Sequence, residues 1–312
     1  MTLHVRRPLA AACATMMAAA ALSACEVNLN TEGLSARETK TFTVTGKARV
    51  VLDTWDGAIE VHSWDRNEVE VEIEKRAMEQ TLIDQMKVEA GQEGDTVTVR
   101  VTGPAGPEFR GVTIGVHVSP TARLRVTLPR AVTLEAKSGD GSIRAEGIDG
   151  QVVLTTADGS VTASQITGDL KIRSGDGAIR LERVTGALDL ETEDGSIVFE
   201  AKATALRAKT GDGSIRGEIA FDAVMADNWE IETRDGSVTL RLPTSFNAEI
   251  DAETRDGSVR TSHPQIEPAD ERRDGEGSDE RRERRRTLRT KMGDGGKTLR
   301  VRTGDGTIRI ES

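Results

Sequence analysis

Over most of this chain apolar and polar residues alternate with a period of two, in short runs broken by Asp-Gly. Phe42 and Val44, Val50 and Leu52, Ile59 and Val61, and Val69, Val71 and Ile73 each mark one face of a strand. Val97–Val101, Val112–Val118 and Leu124–Leu128 predict further strands. Residues 77–90 break the period. Met78, Leu82, Ile83, Met86 and Ala90 stand at helical spacing, which predicts one amphipathic helix with Gly91 as its stop.

Beyond residue 136 the alternation becomes a repeat. Ser or Thr, any residue, Asp, Gly, a small residue, then Ile or Val occurs once at position 54 and then eight times more, starting at positions 138, 156, 174, 192, 210, 233, 254 and 303. From Asp140 to Asp212 it returns every 18 residues; the next spacings, 23 and 21, imply loops bulging from one edge. Each unit has Ile or Val just after the turn, as in Ile143, Val161, Ile179 and Ile197. A second strand precedes the next turn, as in Val152 and Leu154 or Leu170 and Ile172. Two short strands and two turns per unit, at fixed period, predict a stack of coils around a shared core.

Asp-Gly between alternating runs also signals a hairpin, so an antiparallel meander is the rival architecture. Outward charges favour the stack. Five and three residues before each aspartate stand Lys171 and Arg173, Asp189 and Glu191, Arg207 and Lys209, then Glu230 and Glu232. The sign alternates from copy to copy. Asp251 and Glu253 break the series, and Arg300 and Arg302 restore positive charge in the last copy. A second outward column reads Arg144, Thr162, Arg180, Val198, Arg216, Thr239, Arg260, in which no arginine is expected to lie over another. Alternation matters when copies are neighbours about 4.8 Å apart, where opposite charges help by roughly 0.2–1 kcal/mol and like charges hurt.

The one constellation with a chemical look is the column Asp56, Asp140, Asp158, Asp176, Asp194, Asp212, Asp235, Asp256 and Asp305. A row of carboxylates suggests calcium. A turn device explains the same residues better: Asp bonds nearby amides, while Gly57, Gly141, Gly159, Gly177, Gly195, Gly213, Gly236, Gly257 and Gly306 supply positive φ. There is one acid per unit and no second oxygen-donor column, so no metal is expected. The Ser or Thr two positions earlier is placed to join a hydroxyl ladder. His4, His62, His117 and His263 have no metal-ligand spacing, and neither a nucleophile elbow nor a phosphate loop occurs. Paired acids for glycoside chemistry make the best enzyme case, but every acid near a turn belongs to the repeat. The chain reads as non-enzymatic, with no catalytic residue and no cofactor.

The N-terminus adds an address. Arg6 and Arg7, an apolar run from Pro8 to Leu22 and the sequence Leu22-Ser23-Ala24-Cys25 read as a secretory signal over 1–24. Its ending resembles a bacterial lipobox, which implies cleavage before Cys25 and lipid on that cysteine. Cys13 leaves with the signal, so the remainder would hold no disulfide. The net charge is −10, which disfavours nucleic acid as a partner. Five Phe, three Trp and no Tyr argue against an aromatic sugar platform.

These features divide the chain into the signal, a flexible tether at 25–39, a β-rich N-terminal region with the helix at 40–135, solenoid repeats at 136–262, a disordered charged insert at 263–286 and a C-terminal coil at 287–312. The lipobox, the β-rich N-terminal region and the D-G-[SA]-[IV] units, over about 40–312, resemble the bacterial β-strand-repeat putative-adhesin family, domain of unknown function 4097. That resemblance implies an all-β parallel solenoid on exported envelope proteins and brings no catalytic residues. The expected role is a lipid-anchored scaffold or adhesin-like surface, at the outer membrane facing the periplasm or cell surface. An envelope protein or a polysaccharide would be its partner. An envelope-stress sensing module with a membrane-protein partner is the alternative, and a carbohydrate-active β-helix enzyme the third reading.

Overall fold

In the computed structural model the chain forms an all-β solenoid; the structure describes residues 25–30, 33–104, 119–266 and 286–312. The expected strand at Val112–Val118 lies outside these residues. Each coil has an approach strand running into the Asp-Gly corner and an exit strand leaving it. On the exit face Ile59–Trp64, Ile143–Glu146, Val161–Ser164 and the start of Ile179–Thr192 pair in parallel, with Ile59, Ile143, Val161 and Ile179 in one register row. The row continues through Ile197, Ile215 and Val238. On the approach face Ala48–Thr54, Val132–Ser138, Val152–Thr156 and Leu170–Arg173 stack likewise. The meander is excluded: consecutive copies run parallel and in register.

Stacking in register follows from the side-chain columns. Ile143, Val161, Ile179 and Ile197 are buried from one face, and Leu154, Ile172 and Leu190 from the other. A slip of one residue would turn every one of them to water. Trp229 lies in the same core, its ring 5.3 Å from that of Phe246, and it opens the unit whose spacing is irregular.

Copies do not stack in chain order at the C-terminal end. The strand Thr298–Thr303 lies between Trp229–Thr233 and Ala248–Thr254, parallel to both. Thr307–Glu311 lies between Val238–Arg241 and Ser258–Thr261. The last copy in sequence is therefore next to last in space. Glu230 and Glu232 neighbour Arg300 and Arg302, which neighbour Asp251 and Glu253. The break in charge alternation seen in the sequence disappears; read through space, the signs alternate to the end. The second column needs the opposite correction, because Arg309 lies directly beside Arg260.

Antiparallel strands cap both ends. Thr287–Met292 closes the approach face after Ala248–Thr254. At the other end Thr96–Thr102 pairs in parallel with Ala48–Thr54 and antiparallel with Lys87–Glu93. On the exit face Thr121–Pro129 joins Ile59–Trp64 to Glu68–Ala77, then Gly33–Thr43 and Cys25–Asn30 follow.

Three expectations about segments change. The helix is limited to Gln80–Gln85, and Lys87–Glu93 is a strand. Met86 and Ile83 do fill an apolar site with Ala77, but the hairpin at Gly94 (φ +59°) gives the following residues a full set of backbone partners that a longer helix would forfeit. Residues 25–39 are not a slack tether, because Cys25–Asn30 and Gly33–Thr43 form a hairpin on the sheet edge. Sheet edges recruit strands through backbone bonds, for which a weak apolar pattern suffices. Of the charged insert expected at 263–286, His263 and Ile266 are buried in the fold, and 267–285 lies outside the described residues.

Candidate functional site

The repeated phrase builds a continuous corner running along the stack. Its Ser or Thr is buried in all nine copies, from Thr54 to Thr303. Each hydroxyl reaches across to a neighbouring coil: Ser138 donates to the carbonyl of Gly57 (2.9 Å), Thr156 to Gly141 (3.0 Å), Thr210 to Gly195 (2.8 Å) and Thr233 to Gly213 (2.9 Å). The same oxygen accepts the amide three residues on, as Gly141 to Ser138 (3.1 Å) and Gly236 to Thr233 (3.1 Å). The hydroxyl ladder thus satisfies two backbone groups per coil in a buried position. Thr233→Val, nearly isosteric, will leave both unpaired and lower stability by about 1–3 kcal/mol, while Thr233→Ser will keep most of it. Denaturant unfolding of the two variants checks this.

The glycines act differently from the sequence expectation. Of the phrase glycines only Gly57 (φ +131°) lies in the left-handed region; Gly141, Gly159, Gly177, Gly195, Gly213, Gly236, Gly257 and Gly306 do not. They are glycines because the coils touch there. A Cβ on Gly177 would stand 1.9 Å from the oxygen of Gly159, and one on Gly195 2.1 Å from that of Gly177. Positive φ belongs instead to the opposite corner, at Gly168 (+132°) and Gly186 (+134°), and to Gln165 and Arg183 (both +53°). This second corner is legible as Ile148-Asp149-Gly150, Ile166-Thr167-Gly168 and Val184-Thr185-Gly186 at 18-residue spacing, although only its first copy carries Asp-Gly.

The aspartates are outermost. Asp140, Asp158, Asp176 and Asp194 accept no hydrogen bond from a described residue; in the first three copies the amide expected for the aspartate goes to the hydroxyl. Asp56 alone takes its own Gly57 amide; burial and then the adjacent Asp140 push its carboxyl up. Toward the C-terminal end arginines relieve the repulsion: Arg234 pairs with Asp212, Arg255 lies 3.8 Å from Asp305 and Arg286 lies 3.3 Å from Asp256. Among the described residues no group of three or more His, Cys, Asp or Glu side chains is arranged for a metal ion. His62 lies 3.5 Å from Glu146, and His263 is buried with its Nδ1 accepting the Gln265 amide.

The charged column of the approach face is a ladder of ion pairs. Arg173 meets Asp189 at 2.6 Å and Glu191 at 2.9 Å, Lys209 meets Glu232, and Arg302 meets Asp251 at 2.7 Å. Asp251 is the hub of the transposed coil, with Arg289 at 3.3 Å and Arg300 at 3.6 Å as well. Arg302, then Arg289, hold its carboxyl below the ordinary range. The stabilisation is therefore present above the usual carboxylate pKa and lost as pH falls through the depressed value.

Of the lipidation residues, Leu22, Ser23 and Ala24 lie outside the described residues, and Cys25 begins the edge strand Cys25–Asn30. No helix among the described residues is long and apolar enough to cross a membrane.

Solved structures that match the chain include a putative adhesin from Bacteroides fragilis, 12% identical with a TM-score of 0.45, over 88% of this chain and 96% of that one. Another, from Parabacteroides merdae, is 13% identical with a TM-score of 0.43, over 88% and 95% of the two chains. A putative cell adhesion protein from Clostridium sporogenes is 13% identical with a TM-score of 0.29, over 88% and 98%. No curated protein matches the chain. The profile described as Toastrack DUF4097 matches residues 39–311, nearly the whole β-solenoid, and the chain belongs to that family.

Proposed function

We propose that this chain is a non-enzymatic, lipid-anchored envelope protein whose solenoid displays outward side chains as a scaffold or adhesin-like surface. The observation that carries this reading is the corner chemistry. The hydroxyls and glycines of the repeat are engaged in coil-to-coil contacts, so what differs from coil to coil is the row of outward residues. A rigid stack with variable outer rows suits recognition of an extended partner, an envelope protein or a polysaccharide. Anchoring rests on the lipobox at Leu22–Cys25. Since Cys25 opens a strand paired to the solenoid edge, lipid there would hold that end of the stack close to the bilayer.

Metabolic labelling with a fatty-acid analogue, followed by mass spectrometry of the N-terminal peptide, tests the anchor. Label on the native chain and none on Cys25→Ala is expected; equal labelling, or a mature N-terminus other than Cys25, would overturn it. Crosslinking in intact cells tests the role. A single stoichiometric membrane-protein partner would replace the display surface with the sensing module.

A further inference from the structure

The two faces of the solenoid treat their cations differently. On the approach face positive and negative coils alternate, and the cations are neutralised by acids on the next coil. On the exit face the row starts with Arg144 beside Glu60, an acid held by Arg123 and Arg125, and from Thr162 onward it keeps the same two-coil period with neutral alternate members. Arg144 neighbours Thr162, which neighbours Arg180. Val198 separates Arg180 from Arg216, and Thr239 separates Arg216 from Arg309. Arg260 follows Arg309 directly, with no acid between them.

These five arginines are exposed, and none forms an ion pair with a described residue. Arg144, Arg180, Arg216 and Arg309 repeat every second strand, a spacing of about 9.6 Å. Between Arg216 and Arg309 the row opens into a hollow of about 570 Å³, lined also by Thr239, Arg241, Glu218 and Glu311. A planar guanidinium is suited to hold a carboxylate with two parallel hydrogen bonds. Two residues further along, most of these strands carry a carboxylate, Glu146, Glu182, Glu200, Glu218 and Glu311, while Ser164, Arg241 and Ser262 take that place on the others. Glu146 is near His62 and Glu218 near Arg241, whereas Glu182 and Glu200 are exposed without an ion pair among the described residues. A ligand charged along its whole length, such as nucleic acid, would be repelled by that acid row. A sugar chain with spaced carboxylates and abundant hydroxyls meets both rows, since carboxylates accept from hydroxyls.

We infer that the exit face binds a linear acidic polysaccharide carrying one carboxylate per disaccharide, laid along the solenoid axis. Its carboxylates engage Arg144, Arg180, Arg216 and Arg309 in turn, because an extended disaccharide has the length of two strand spacings. This deepens the display-surface reading and rests on it.

Hyaluronan oligosaccharides, with one carboxylate per disaccharide, are the probe, and binding to the full chain is measured by calorimetry. Neutral dextran, and DNA of similar length, are the comparisons. Hyaluronan is expected to bind and the other two not. Arg180→Gln with Arg216→Gln will weaken binding at least about tenfold, the loss of a charge-assisted contact. Val198→Glu, which places an acid between two intact arginines, will do the same. Arg207→Gln on the approach face will leave binding unchanged. Circular dichroism of each variant checks that the fold persists. No hyaluronan binding, equal binding of dextran or DNA, or affinity unmoved by the exit-face variants would overturn the inference. If hyaluronan fails while cellular crosslinks to envelope components persist, only this ligand is lost; if both fail, the display surface falls with it.

Discussion

Truncating the chain after Lys297 will release not one coil but two. The segment 298–312 follows every other strand in sequence yet lies inside the stack, with Leu299, Val301, Ile308 and Ile310 completely buried. Their removal forfeits about 1.5–3 kcal/mol each. It also strips the coil Ala248–Thr261 of its parallel partners. That coil has a formal alternative: in register terms Ile250 could take the place of Leu299 beside Trp229. Charge blocks it, because Asp251 would then face Glu230, and Glu253 would face Glu232. The truncated protein should therefore lose amide protection from Ala248 onward and become protease-sensitive beyond Arg241, while the coils up to Thr210 stay protected, as expected where coupling is between neighbours. Changing Asp251 and Glu253 to lysine, together with Arg289 to glutamate, in the truncated chain should restore protection over Ala248–Thr254 by giving Glu230 and Glu232 opposite-sign neighbours while leaving their pairs with Arg207 and Lys209 intact. Full protection of that strand in the simple truncation would refute charge-ordered stacking.

Gly177→Val should destabilise the middle of the stack by about 3 kcal/mol or more. The cause is contact, not dihedral strain. The added Cβ would meet the carbonyl oxygen of Gly159 at 1.9 Å and its carbon at 2.4 Å. Backbone atoms held by ladders on both faces cannot step aside without opening the coil interface. Gly91→Ala is the matched control, since nothing lies within 4 Å of its Cβ position. Denaturant melts compare the two. Equal stability of Gly177→Val and the native chain would mean that the coils are not closely stacked at this corner.

Both expectations show where the sequence carried the fold and where it stopped. Parallel stacking was readable because Ile143, Val161, Ile179 and Ile197 recur at a fixed interval and because the signs at Arg173, Glu191 and Lys209 alternate, which matters only between adjacent strands. The hydroxyl ladder was readable as well, since a Ser or Thr at a constant offset from Asp-Gly has few other uses in a buried corner. The helix was overread. Met78, Leu82, Ile83 and Met86 satisfy helical spacing over a stretch too short to outlast competition from the Lys87–Glu93 hairpin. The role of the glycines is not legible in the sequence, because Asp-Gly describes a turn equally well whether its glycine is chosen for φ or for contact. The dihedrals and the Gly159 carbonyl discriminate between them.

By itself the sequence determined the coil: two alternating strands, two corners, an apolar interior and outward rows whose charges forbid some neighbours. Only the tertiary structure decided the order of the coils at the C-terminal end, placing 298–311 between segments that precede it. The physical reason is that periodicity specifies what a coil accepts beside it, whereas which copy occupies that place depends on the free energy of all coil pairings together. The unneutralised arginine row on the exit face emerges from the same assembly, since whether a cation is paired is settled by the strand that comes to lie next to it.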